Sequence, residues 1–299
     1  MNERKRVFLP LSAWQRKMRV GITGYTELGQ AIEESLHGVS KFICDDSLGV
    51  DIDNLLDFGP DLVFVCHDPV LHASSSRQDA TRVEDDFLKL IRRSKAAVVV
   101  CTPLTPDVVE RMCNTIDDPE DIVRFMYWPN ILNRGNIGFE FKNMNFTVIG
   151  SRQESVNEFR HFLNLKTDMI CPQPVIVNPI EASYVACAIN NFKALKTSFF
   201  SELRESVKQD CAEKCDVMTV IKATMSYPII GRAHAREGVT SGRLGIPEPT
   251  LEMLTAYTNF TANSNLMKAV ADVDFETNHT ETNAEEADEF DNEQIEEKQ

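Results

Sequence analysis

Residues 19–38 read RVGITGYTELGQAIEESLHG, a strand-like run, a glycine turn at Gly24, and a segment whose apolar residues recur at helical spacing until Gly38 closes it. The same unit recurs downstream. KFICDD predicts a second strand, and DLVFVC, entered through Gly59-Pro60, a third. DDFLKLIRRS reads as a helix, AAVVVC as a fourth strand, PDVVERMCNTI as a helix, IVRFMYW as strand-like and FTVIGS as the last strand. Apolar runs of this kind are strands buried on both faces, and helices between them make the sheet parallel and doubly wound.

The pattern predicts an α/β protein with an N-terminal Rossmann-like domain over residues 18–150, followed by an all-α central or dimerisation domain. Residues 1–17 are basic and contain Trp14. They read either as a surface arm or as residues ahead of a natural start at Met18. Residues 151–178 supply a helix, SRQESVNEFRHFLNL, and a short extended link, PVIVNP. Residues 179–271 read as helical, opened by Asn178-Pro179 with Glu181 and Ser183 in the first turn. A helix of about 30 residues spans about 45 Å, more than one small domain covers. Its apolar face of Tyr184, Val185, Ala188, Phe192, Leu195 and Phe199 therefore predicts a homodimer.

With 299 residues, 42% of them apolar, the chain has material for two cores. No run of about 18 apolar residues offers a membrane span and no signal-peptide segment opens the chain, so a cytoplasmic protein is expected. The eight cysteines lie scattered, several inside strand-like runs, as buried free thiols do. Cys211 and Cys215 stand four apart, but no second pair with ligand spacing follows them, and no metal site is expected. The net charge of −15 is localised: residues 272–299 hold twelve acidic residues against Lys298, which leaves −4 on the body. A segment so charged and so poor in apolar side chains is expected to be disordered. It reads as a solubilising tail, as a docking arm for a basic partner or as an internal mimic of nucleic acid. No basic stripe interleaved with aromatics marks the body as a nucleic-acid binder.

The turn Gly21-Ile22-Thr23-Gly24-Tyr25-Thr26-Glu27-Leu28-Gly29 lies where a strand hands over to a helix, a place suited to a dinucleotide pyrophosphate. Gly24 lets the backbone approach phosphates. Ile22 and Glu27 stand at the other two glycines of a G-x-G-x-x-G loop, the first crowding the turn and the second bringing a carboxylate near it. Gly21 and Gly29 alternatively frame a longer loop. Asp45 and Asp46 end the second strand about 20 residues later, where an acid binds the ribose of NAD and repels the extra phosphate of NADP; equally, they begin a loop. The candidate cofactor residues are Gly21, Thr23, Gly24, Tyr25, Asp45 and Thr102.

The run ASYVACAINNFKALKTSFFSEL, residues 182–203, resembles the central helix A-E-x-x-K-x-x-x-N-x-F-x-A-x-K-x-x-F-x-N-E of the UDP-glucose/GDP-mannose dehydrogenase family. Asn190, Phe192, Ala194, Lys196, Phe199 and Glu202 fall on its positions, and Ala186 falls on the active-site lysine. The turn is similar to the family's G-x-G-Y-V-G-L. VFVCHDPV resembles VFICVPTP, and VVVCTPLTPDVVE places Thr102 on the family's active-site threonine. YWPNILNRGNIGFEFKNMNFTVIG resembles P-E-F-L-R-E-G-x-A-x-x-D-F-x-x-P-x-R-I-V-I-G, with Asn130 and Arg134 at its two glutamates. EKCDVMTVIKAT resembles G-A-D-V-D-E-V. Ile229 replaces an arginine that reaches the sugar nucleotide across the dimer. In GRLGIPEPTLEMLTAYTN, Gly242, Pro247, Thr250 and Leu254 align with G-G-S-C-F-P-K-D-T-x-x-L, while Gly245 stands at the nucleophilic cysteine and Pro249 at the aspartate. The resemblance runs over about 18–270 and does not extend to the family's third domain.

The resemblance implies NAD as cofactor, a nucleotide sugar as ligand, and Asn190 with Thr102 as the remaining polar groups of the catalytic site. Oxidising a primary alcohol to a carboxylate needs a thiolate to hold the aldehyde, a base, and a group to stabilise the oxyanion. Cys187 is the only thiol close to the vacated lysine position and reads as a packing residue, and Lys193 and Lys196 read as surface or dimer contacts. Three functions fit: a shortened nucleotide-sugar dehydrogenase impaired in full oxidation, a non-catalytic binding or scaffold dimer, and an unrelated small-molecule reductase on the same fold.

Overall fold

The computed structural model describes residues 8–9, 11–67, 70–71, 78–132, 136–169, 171–211 and 214–230. In chain order the elements are α1 (Leu11–Trp14), β1 (Arg19–Thr23), α2 (Glu27–Ser35), β2 (Ser40–Cys44), a 3-10 turn (Asp46–Leu48), α3 (Ile52–Phe58) and β3 (Leu62–Val65). Then come β4 (Val70–Leu71), β5 (Gln78–Asp79), α4 (Thr81–Arg93), β6 (Ala97–Val100), α5 (Pro106–Asn114), α6 (Pro119–Arg124) and β7 (Phe125–Tyr127). The last are α7 (Ile137–Lys142), β8 (Val148–Gly150), α8 (Gln153–Lys166), β9 (Val175–Val177), α9 (Pro179–Cys211) and α10 (Val217–Met225).

Seven strands form one sheet in the order β2-β1-β3-β6-β7-β8-β9, parallel except for the β7–β8 pair. Alternate side chains of each strand enter different cores, as the two-residue period of a strand requires. Leu62, Phe64, Ala97 and Val99 pack on one face with Phe159 and Phe162 of α8. Val63, Val65, Val98 and Val100 pack on the other with Phe87, Leu90 and Ile91 of α4. Burial on both faces is why these strands read as unbroken apolar runs.

The structure differs from the sequence expectation in two places within this unit. Residues 151–178 hold the expected helix and extended segment, but both join the sheet unit: α8 fills one core, and β9 pairs in parallel with β8 at Val148–Val175, Ile149–Ile176 and Gly150–Val177. Residues 8–17 are not a free arm. Phe8, Leu9 and Ala13 are buried in the same core, Phe8 meets Phe159 edge-on at 6.1 Å, and Leu9 N donates to Glu158 Oε2 at 2.9 Å. Arg16 pairs with Asp61 at 2.5 Å, and the same carboxylate accepts from Arg19 N. The basic composition of this segment conceals three apolar residues that leave water together.

The chain divides into two compact units at Asn190–Asn191, inside α9. In the second unit, Phe200 and Ile221 are buried with Leu203, Val217, Met225 and Ile230 around them, and Lys196 Nζ donates to Ile230 O at 2.7 Å. The acidic tail lies outside the described residues.

Candidate functional site

Strand order reverses at β1, which has β2 on one side and β3 on the other. In an open α/β sheet the crevice beyond the carboxyl ends at such a point is where ligands bind. The strand ends here are tied together: Gly24 N donates to Cys44 O at 3.0 Å, Cys66 N to Thr23 O at 2.7 Å, and Cys101 N to Val65 O at 2.8 Å. Gly24 has φ 87°, and a Cβ on it would stand 2.6 Å from His67 N, so only glycine lets the turn lie this close to the end of β3. Thr26 caps α2, its hydroxyl donating to Cys66 O at 2.8 Å and accepting from Gly29 N at 3.3 Å. The amino end of α2 is thereby held against the crevice.

Asp45 closes the crevice on the β2 side. Its Oδ2 accepts from Tyr25 N at 2.7 Å, and its Oδ1 from Ser47 N at 2.9 Å. Burial pushes its carboxyl upward, but hydrogen bonds from the Ser47 hydroxyl and from the Tyr25 and Ser47 amides outweigh that and hold it below the usual carboxylate value. Asp46 pairs with Arg82 at the start of α4. Two expectations about the turn change. Gly21 lies inside β1, where a Cβ would come within 2.5 Å of Leu55 Cδ1, so its missing side chain makes room for α3. Glu27 turns away from the turn, its Oε1 accepting from Ile137 N at the start of α7 at 3.0 Å.

Beneath the turn is a polar cluster that no motif announces. Asp86 Oδ2 lies 2.9 Å from Thr23 Oγ1 and 2.8 Å from His67 Nε2, and Thr23 Oγ1 is 2.9 Å from the same nitrogen. All three residues are buried. Burial pushes the Asp86 carboxyl up, and the hydrogen bond and charge of His67, the Thr23 hydroxyl and Arg82 pull it further down, so it stays ionised. A carboxylate only accepts, so the Thr23 hydroxyl and His67 Nε2–H both donate to it. Because Thr23 and Asp86 meet the same ring nitrogen, this is no nucleophile–base–orienter relay, which uses both nitrogens. It is a support for the turn. The one sequence signal was Asp86 among Val83, Phe87, Leu90 and Ile91 on the buried face of α4.

Thr102 follows β6 into the same crevice, and its hydroxyl donates to His67 O at 2.8 Å. Asn130 is anchored beside it, its N donating to Cys101 O at 2.9 Å while its Oδ1 accepts from Leu132 N at 3.0 Å. At the start of α9, Ser183 Oγ donates to Leu104 O at 2.6 Å, and the Tyr127 hydroxyl accepts from Leu104 N at 2.9 Å. Burial drives that phenol well above its usual value, so it stays protonated. Ala186 is buried on α9, and Cys187 is buried with its Sγ 3.9 Å from Ser183 Oγ. Asn190 is buried one turn further along α9. Thr23, Gly24, Tyr25, Asp45 and Thr102 thus lie at the carboxyl edge of the sheet, Tyr25 in direct contact with Asp45, and Thr23 and Thr102 linked through His67. Ile229 is exposed in the second unit. Arg134, Gly245 and Pro249 lie outside the described residues. Among the described residues, no group of three or more metal-ligating side chains occurs, and no helix is long and apolar enough to cross a membrane.

No family model matches the sequence, and no curated protein matches it either. Solved structures do match. A UDP-glucose dehydrogenase from Pyrobaculum islandicum superposes with a TM-score of 0.68 at 19% identity, over 91% of this chain and 70% of that one. A UDP-D-ManNAc dehydrogenase from Pyrococcus horikoshii gives 0.67 at 14% identity, over 87% and 69%. An NDP-N-acetyl-D-galactosaminuronic acid dehydrogenase from Methanosarcina mazei Go1 gives 0.63 at 14% identity, over 93% and 70%. The chain has the fold of the nucleotide-sugar dehydrogenases.

Proposed function

We propose that this protein binds a nicotinamide dinucleotide, NAD rather than NADP, at the carboxyl edge of its sheet, and takes a nucleotide sugar without carrying an alcohol through to the acid. The observation that carries this reading is Ala186, a buried methyl group where the resemblance implies a lysine. The neighbouring thiol of Cys187 is turned onto Ser183 and offers no replacement. Gly245 removes the other thiol at the level of sequence.

The residues at the crevice fit the cofactor. Gly24 leaves room for backbone approach, Thr26 sets the amino end of α2 toward the turn, and Asp45 is ionised at the end of β2. When bound, NAD would supply a hydride acceptor. Thr102, held by His67 O, and Asn190 would then be the polar groups left to orient an alcohol. Orientation alone permits at most a slow two-electron step. A cytoplasmic setting accords with the seven free cysteines among the described residues.

The test is to incubate the protein with NAD and UDP-glucose or GDP-mannose, analyse products by mass, and titrate NADH by fluorescence. Saturable NADH binding without uronic acid is expected. Uronic acid accumulating above the protein-free background would overturn the proposal. Absence of NADH binding by a folded protein would favour the second reading, a non-catalytic dimer. That reading draws on the apolar stripe of α9, where Tyr184, Ala188, Phe192 and Phe199 are exposed while Val185 faces the core.

A further inference from the structure

Two thiols at the carboxyl ends of β3 and β6 have no part in the reading above. Val65 and Val100 are paired in register and Cys101 N donates to Val65 O, which makes Cys66 and Cys101 the next pair along two parallel strands. Both side chains enter the same core, at 3% and 0% exposure, and the Cys101 thiol points at Val99 O at 3.9 Å. Neighbouring strands lie about 4.7–4.9 Å apart, within the roughly 4.4–6.8 Å that separates the Cα atoms of a disulfide.

Access selects the reagent. Cys101 borders a small cleft, also lined by Leu28, Trp128, Asn130 and Thr147, with room for about one water molecule. Such an opening excludes a glutathione-sized disulfide, whereas hydrogen peroxide, two oxygen atoms long, needs it only slightly wider. Burial pushes the Cys101 thiol up, so thiolate is scarce and the reaction is slow.

We propose that Cys66 and Cys101 are a peroxide-responsive modification site that closes to an intrachain disulfide. The Cys101 thiolate attacks one oxygen of hydrogen peroxide, the O–O bond breaks, and the departing hydroxide takes up the thiol proton as water, leaving a sulfenic acid. The Cys66 sulfur attacks the sulfenic sulfur, the S–O bond breaks, and a second water leaves with the Cys66 proton. Two thiols and one peroxide give one disulfide and two waters. Cys66 O accepts from Thr26 Oγ1 and Cys101 O from Asn130 N, so the new bond ties the strand end under the glycine turn to the one that leads to Thr102.

The full-length reduced protein is treated with hydrogen peroxide or with glutathione disulfide, free thiols are alkylated, and peptides are mapped without reduction by mass spectrometry. With peroxide, a Cys66–Cys101 linked peptide about 2 Da lighter than its two reduced halves is expected. Glutathione disulfide is expected to produce far less of it. Cys187→Ser should retain the link and Cys101→Ser abolish it; if the latter does not fold, the wild-type map still decides. Overoxidised Cys101 beside a free Cys66, linkage through other cysteines, or equal linkage by glutathione disulfide overturns the proposal.

Discussion

Phe8→Ala tests whether the residues ahead of Met18 belong to the folded unit. Phe8 is 1% exposed and edge-on to Phe159, in the core that carries α8. Truncating a buried phenylalanine to alanine costs about 3–5 kcal/mol, from lost transfer energy and the cavity left behind. In a unit of this size each kcal/mol lowers the melting temperature by about 2–4 °C, so a fall of roughly 6–20 °C is expected. The docking energy of the segment sets a ceiling, because a terminal segment can lift off before the sheet unfolds. Deleting residues 1–17 measures that ceiling and must lower the melting temperature at least as far. Differential scanning calorimetry provides the readout, with Gln15→Ala, exposed on the same segment, as control within about 0.5 kcal/mol. A Phe8→Ala shift no larger than the control's would refute the docking.

Gly24→Ala is expected to cost roughly 1–3 kcal/mol and to abolish NADH binding, since the added Cβ meets His67 N at 2.6 Å on top of the positive φ. Gly49→Ala has a positive φ but nothing within 4 Å of its Cβ, so it should cost only about 1–2 kcal/mol and leave binding intact; fluorescence titration beside thermal melts compares the two. Asp86→Asn removes a buried charge that two donors share, and is expected to lower stability by about 1–3 kcal/mol near pH 7. Because the folded Asp86 carboxyl lies below its ordinary value of 3.8, its stabilisation is present above about pH 4–5 and is lost as pH falls through that lower folded value. Urea midpoints from pH 7 to pH 3 should therefore show the gap between wild type and variant constant at first and narrowing below about pH 4; a gap undiminished at pH 3 rules out the ionised carboxylate as its source.

The sequence by itself determined the sheet. Apolar runs such as LVFV and AVVV at β3 and β6 declare burial on both faces without any partner being known, because every residue of such a strand meets a core. The placement of Thr102 and Asp45 at the carboxyl edge of the sheet was legible for a related reason: chain position tells which residue follows each strand. That Ala186 stands where the resemblance implies a lysine is read from residue identity and needed no coordinates. Tertiary structure alone decided the rest. Thr23, His67 and Asp86 are 44 and 19 residues apart, and a charge on a helix face reads as solvated until the facing strand end supplies its donors. Phe8, Leu9 and Ala13 read as an arm because their partner, α8, lies about 150 residues away. The three-residue β9 has too little sequence for a periodic signal and becomes a strand only by pairing with β8. Contacts between residues distant in the chain obey no local pattern, and those contacts place the support under the glycine turn.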